Sequence, residues 1–137
     1  MKLCEDTITV FNAKYDRAAG ADVYIPTVIS GVSWYLHTVT NVDNSGLRAA
    51  NQFTVRVPVD ANFSGKEYVS PSEFASAEDP SGLFTLKAGD LIVHGAVAEE
   101  GLRPADLQKR FDEVVTILAV TDNRRAPRGR HWKVVGK

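Results

Sequence analysis

Hydrophobic and polar positions alternate in period two through most of the chain, the spacing of strands with one buried face. Thr7-Ile8-Thr9-Val10-Phe11 is the first such run, rich in β-branched residues. The polar stretch 12–20, closed by Gly20, reads as a hairpin loop, and 23–29 as the returning strand. Pro26 has no N–H to give a ladder, so it is expected to face outward on an edge or to sit at a bulge. Gly31 breaks the run before 32–40 continue it, with Val32, Trp34 and Leu36 on one face and Ser33, Tyr35 and His37 on the other. A glycine so placed suggests the bend of a barrel corner. Past a turn at 41–46, Phe53, Val55 and Val57 alternate with Thr54 and Arg56.

Residues 60–82 interrupt the pattern. They hold Gly65, Pro71, Pro80 and Gly82 among polar residues, with Phe63, Tyr68, Val69 and Phe74 as scattered apolar anchors. The segment reads as a long inserted loop, and connections of that length are usually functional or mobile. Strands are expected again at 83–87 and 90–95 around an Ala88-Gly89 turn, at 114–120 as a buried strand, and at 132–135. One short helix is expected at about 103–111, where Leu102, Asp106, Leu107, Arg110 and Phe111 follow helical spacing and Pro104 suits the first turn. The fold class is mainly β: a small antiparallel β-barrel or sandwich with one short helix and a long inserted loop, in a single domain over 1–137. Its expected core is Ile8, Val10, Val32, Trp34, Phe53, Val55, Ile92, Ile117 and Val134.

Composition narrows the function classes. Hydrophobic content of 44% suits a globular core, and no run of 18 apolar residues offers a membrane helix. Glu5 and Asp6 stand where a signal peptide would need an apolar run, so no leader is expected. Cys4 is the single cysteine, which excludes an internal disulfide and a cysteine-based zinc site. His37, His94 and His131 are isolated from one another and the acids are dispersed, so neither a metal nor any other cofactor is expected. His94 reads as a surface or strand-end residue rather than a general base. No Gly-x-Ser-x-Gly elbow, P-loop or dinucleotide fingerprint occurs, and the reading is of a protein that is not an enzyme. A small hydrolase is a distant third reading, since triads converge in space and not in sequence.

Charge adds one feature. Residues 1–102 carry 7 Lys/Arg against 13 Asp/Glu, net −6, whereas 103–137 carry 9 against 4, net +5. The basic excess centres on Asp122-Asn123-Arg124-Arg125-Ala126-Pro127-Arg128-Gly129-Arg130-His131-Trp132-Lys133. Arg124, Arg125, Arg128 and Arg130 are expected to repel one another unless a partner neutralises them, and guanidinium forks suit phosphates and carboxylates alike. Tyr68 and Phe74 are expected to order 60–82 against a neighbouring subunit or another protein of the same assembly. A bare solvated basic turn is the plain alternative.

Five stretches carry a resemblance: TITVFN (7–12), ISGVSWY (29–35), FTVRVPV (53–59), FTLKAGDLIVHG (84–95) and DNRRAPRGRHWKVVG (122–136). In their order they resemble the small neck proteins of long-tailed phages, the minor-capsid, head–tail joining and head-closure (stopper) proteins. The resemblance implies a virion protein of the head–tail connector that forms a ring of identical copies below the portal and adaptor. Such a ring seals the DNA channel, docks the tail, and contacts the packaged DNA. Tail-terminator and adaptor identities within the same neck stay open. In the family a Gly-Asp turn starts a late barrel strand, and Gly89-Asp90 matches it.

A reading from another class is a cellular nucleic-acid-binding barrel, with Trp132, Tyr35 and the arginines stacking on and neutralising a strand. Against it stand the pI near 6.3 and the scarcity of aromatics beside the arginine cluster, where only Trp132 lies close.

Overall fold

The computed structural model describes residues 6–16, 18, 20–43, 46–77, 82–97, 104–111, 113–125 and 127–137. Of these, the side chains at 16, 36–43, 46–51 and 104 are not described, so the expected placements of Leu36 and His37 fall outside. Six antiparallel strands form the body: β1 (Asp6–Asp16), β2 (Ala21–Asp43), β3 (Gly46–Pro58), β6 (Leu91–His94), β7 (Val114–Asp122) and β8 (His131–Gly136). Between β3 and β6 lie β4 (Glu67–Tyr68), helix α1 (Pro71–Ser76) and β5 (Leu83–Phe84), and helix α2 (Pro104–Arg110) joins β6 to β7. The pairings run β1-β2-β3-β8-β7-β6 and return from β6 to β1. Two strands are shared between two sheets: β2 pairs first with β1 and then with β3, and β7 first with β6 and then with β8. The architecture therefore combines the barrel and the sandwich that the alternation predicts.

Gly31 marks the hand-over on β2. Val32 still faces Asp6 on β1, and Ser33 already faces Arg56 on β3. Its φ of +85° is a conformation that L side chains rarely adopt, so glycine is the residue that allows the bend. Pro26 lies opposite Phe11, on the half of β2 whose other side meets only an isolated bridge from Ser30 to Asn62. It thus sits on an edge, as expected, and its carbonyl accepts the Lys66 ammonium at 2.7 Å. β7 hands over through a register shift between Ile117 and Ala119, which turns Leu118 out to 49% exposure. The expectation of a uniformly buried strand at 114–120 is corrected there.

Inside the ring, Ile8, Val10, Val32, Val55, Ile92, Ile117 and Val134 are buried as expected, joined by Ile29, Val57, Phe84, Leu86, Val115 and Trp132. Trp34 and Phe53 are only partly buried and pack on that cluster. A second apolar cluster lies on the opposite face of β1 and β6: Phe11, Leu91, Val93, Val97 and Leu107, with Tyr24, Phe111 and Val114 against it. Helix α2 supplies Leu107 to it, so α2 lies over the outside of this sheet. Thr9 locks the chain after β6 to the same sheet: its Oγ1 donates to the Gly95 carbonyl at 2.8 Å and accepts the Val97 N–H at 2.9 Å.

Within 60–82, the described stretch 60–77 departs most from expectation. Phe63 stacks on Phe84 at 5.0 Å between centroids, Tyr68 meets Phe84 edge-on at 5.7 Å, and Phe74 is 1% exposed. Polar ties fix it to β2: Ser64 Oγ donates to the Val28 carbonyl at 2.7 Å, and Lys66 also reaches Thr27 Oγ1 at 2.9 Å. Phe63 and Tyr68 pack against the core that the strands already enclose. Phe74, expected as a partner contact, is buried within its own chain.

Candidate functional site

The turn between β7 and β8 carries the four arginines, and their environments differ. Asp122 is the last residue of β7, and it binds Arg124 twice over: Arg124 Nε lies 2.9 Å from both carboxylate oxygens, and Nη2 lies 2.7 Å from Oδ2. The Arg124 N–H also donates to Asp122 Oδ1 at 2.9 Å. Hydrogen bonds from the Arg124 side chain, then from its backbone, hold the Asp122 carboxyl below its usual range, and the same bond raises Arg124. The guanidinium carbon lies 5.1 Å from the Tyr68 ring centre and 5.2 Å from that of Trp132. The two rings are 4.6 Å apart. Arg124 thus closes this end of the ring over two aromatics and is neutralised within the chain, which corrects the expectation of four mutually repelling guanidiniums. Tyr68 joins it, whereas Phe74 lies elsewhere, on α1. Arg125, Arg128 and Arg130 are exposed. Trp132 is 4% exposed, so it is a core residue and no stacking surface for a nucleobase.

At the start of β6, the Gly-Asp turn is a structural latch. Gly89 takes φ +94° and donates its N–H to the Ile117 carbonyl at 2.8 Å. Asp90, 1% exposed, accepts Asn12 Nδ2 at 2.9 Å and the Ala13 N–H at 3.2 Å. Asn12 in turn donates to the Thr85 carbonyl and accepts the Thr85 N–H. Burial raises the Asp90 pKa, with the hydrogen bonds and Lys87 opposing it. Both carboxylate oxygens are committed to the fold.

At the far end of β6, His94 lies between two carboxylates, Glu113 on Nδ1 and Asp6 at 3.2 Å from Nε2. Its ring stacks on Trp34 at 4.5 Å, nearly parallel. Burial alone would lower its pKa, but the hydrogen bonds to Glu113 and Asp6 outweigh burial and raise it. His94 therefore clasps β1, β6 and the residue before β7 together. No group of three metal-ligating residues is found among the described residues.

Sequence reasoning missed one surface. Ser33, Tyr35, Thr54, Arg56 and Lys133 line an open concavity of about 590 Å³ on the outside of β2, β3 and β8. Alternation gives the outward positions of β2 and β3, but nothing in it says that β8 is the next strand along. Only the register, Arg56 opposite both Ser33 and Lys133, brings the two cations together.

No helix among the described residues is long and apolar enough to cross a membrane. Neither a curated protein nor a solved structure matches the chain. A sequence profile covering residues 3–137 does match, and by it the chain belongs to a family of unknown function, DUF6751.

Proposed function

We propose that the chain is a structural subunit of a phage head–tail connector, most specifically a head-closure protein that assembles as a ring beneath the portal and adaptor. The observation that carries this reading is the exposed turn with Arg125, Arg128 and Arg130, set on a body whose first 102 residues are net −6. Identical subunits arranged head to tail can satisfy that split by placing the basic turn of one against acidic loops of the next. The sequence resemblance supplies the setting, with tail proteins, adaptor and channel DNA as the remaining partners. Tail-terminator and adaptor roles share the same ring logic.

The test is assembly. Mass photometry of the purified protein, and electron microscopy of particles that contain it, should show a ring at the neck. Changing Arg125, Arg128 and Arg130 to Gln should abolish the ring while leaving the monomer folded. A protein that stays monomeric at every concentration and is missing from the neck of such particles would overturn the reading. A nucleic-acid-binding role is the second reading, favoured by the concavity beside Tyr35.

A further inference from the structure

We propose that the outer face of β2, β3 and β8 binds single-stranded nucleic acid, with Arg56 and Lys133 on the phosphates and Tyr35 as the stacking platform for a base. The proposal rests on this face alone and not on the neck reading.

The two sheets treat their outer faces differently. One is covered by Leu107 of α2 and its apolar neighbours. The other carries Ser33 and Tyr35 on β2, Gln52, Thr54 and Arg56 on β3, and His131, Lys133 and Val135 on β8, in register. Thr121 of β7 lies opposite Lys133 and extends the face. Carboxylates are absent from these positions, although the chain as a whole is net −1. Two cations and several hydroxyls, with no carboxylate at these positions, suit an anion of repeating phosphates. Tyr35 lies diagonally across from Arg56 and is 61% exposed. An exposed ring beside cations on a sheet is the arrangement by which barrels hold single strands, a base stacking on the ring while the cations take the phosphates. The arginine turn adjoins the end of β3, where the Arg130 carbonyl accepts the Val59 N–H at 3.1 Å.

Fluorescence anisotropy with fluorescein-labelled oligothymidylate, over a series of salt concentrations, tests this. The native protein should bind at low salt, weakening as salt rises. Arg56→Gln with Lys133→Gln should flatten the logarithmic salt slope by about 1.4, about 0.7 for each phosphate that is no longer neutralised. Tyr35→Ala should weaken binding about tenfold, whereas Tyr35→Phe, which keeps the ring, should bind as the native protein does. All three variants should melt with the native protein, because the changed side chains lie outside the core. Absence of binding at low salt would overturn the proposal, as would native-like binding by the Arg56→Gln, Lys133→Gln double variant or by Tyr35→Ala. So would polyglutamate competing as well as the oligonucleotide with Tyr35→Ala indifferent to both, since the face would then belong to an acidic protein.

Discussion

Asp90 and His94 lie on the same short stretch of chain and use charge in opposite ways. Asp90 is fully enclosed, and its two oxygens hold donors from β1. Asp90→Ala leaves Asn12 Nδ2 and the Ala13 N–H short of an acceptor inside the fold, which should destabilise the protein by about 2–4 kcal/mol in urea melts. His94 gains from its charge instead. Its folded-state pKa is raised above the ordinary 6.5, so the stabilisation is complete below 6.5 and is lost as pH climbs through the raised value. The melting-temperature gap between the native protein and His94→Phe should therefore narrow as pH rises above 6.5. A gap that is constant with pH would show that the ring stack on Trp34, and not the two carboxylates, is what His94 contributes.

At the scale of elements, helix α1 shows where alternation stops being informative. Ser70-Pro71-Ser72-Glu73 holds a cap, a proline fit for the first turn and an acid three residues after the cap; the Ser70 side chain accepts the Glu73 N–H at 3.3 Å. Read as composition, the same four residues signal a loop. Ser70→Ala should cost about 1 kcal/mol, and Phe74→Ala about 3–5 kcal/mol. Amide exchange across 62–77 should be slow in the free monomer, the opposite of what scattered anchors suggest. The strands were legible because each has one face in the ring, as Ile8, Val10, Val55 and Val57 show. The limit lies in pairs of faces: Phe11, Leu91 and Val93 are buried on the outside of β1 and β6, and period two alone cannot announce a helix lying over them. The candidate surfaces behaved likewise. The arginine turn is written in consecutive residues, whereas the grouping of Tyr35, Arg56 and Lys133 depends on which strands are neighbours.

Taken as a whole, the molecule separates stability from charge. Arg124 belongs to the body through Asp122, Tyr68 and Trp132, whereas Arg125, Arg128 and Arg130 are exposed on the turn. Arg124→Ala should lower the melting temperature, and the triple change of the other three to Gln should alter stability by no more than about 0.5 kcal/mol per site. Failure of the triple variant to assemble would then report on the surface between subunits and not on an unfolded chain.

The ladder between β2 and β3 outruns the ring. β8 stops pairing at Phe53, but β2 and β3 continue side by side to Asp43 and Gly46. Where a strand is paired on both sides, as β3 is from Phe53 to Arg56 between β2 and β8, the main chain offers nothing to another molecule. Along this overhang, the N–H and C=O groups on the outer sides of both strands have no partner strand among the described residues. Backbone recruitment of a foreign strand, whether for orderly joining or for aggregation, is thereby open along this arm of the protein. A proline introduced at Asn51 or Thr38 is the substitution that would discriminate against it while sparing the ring.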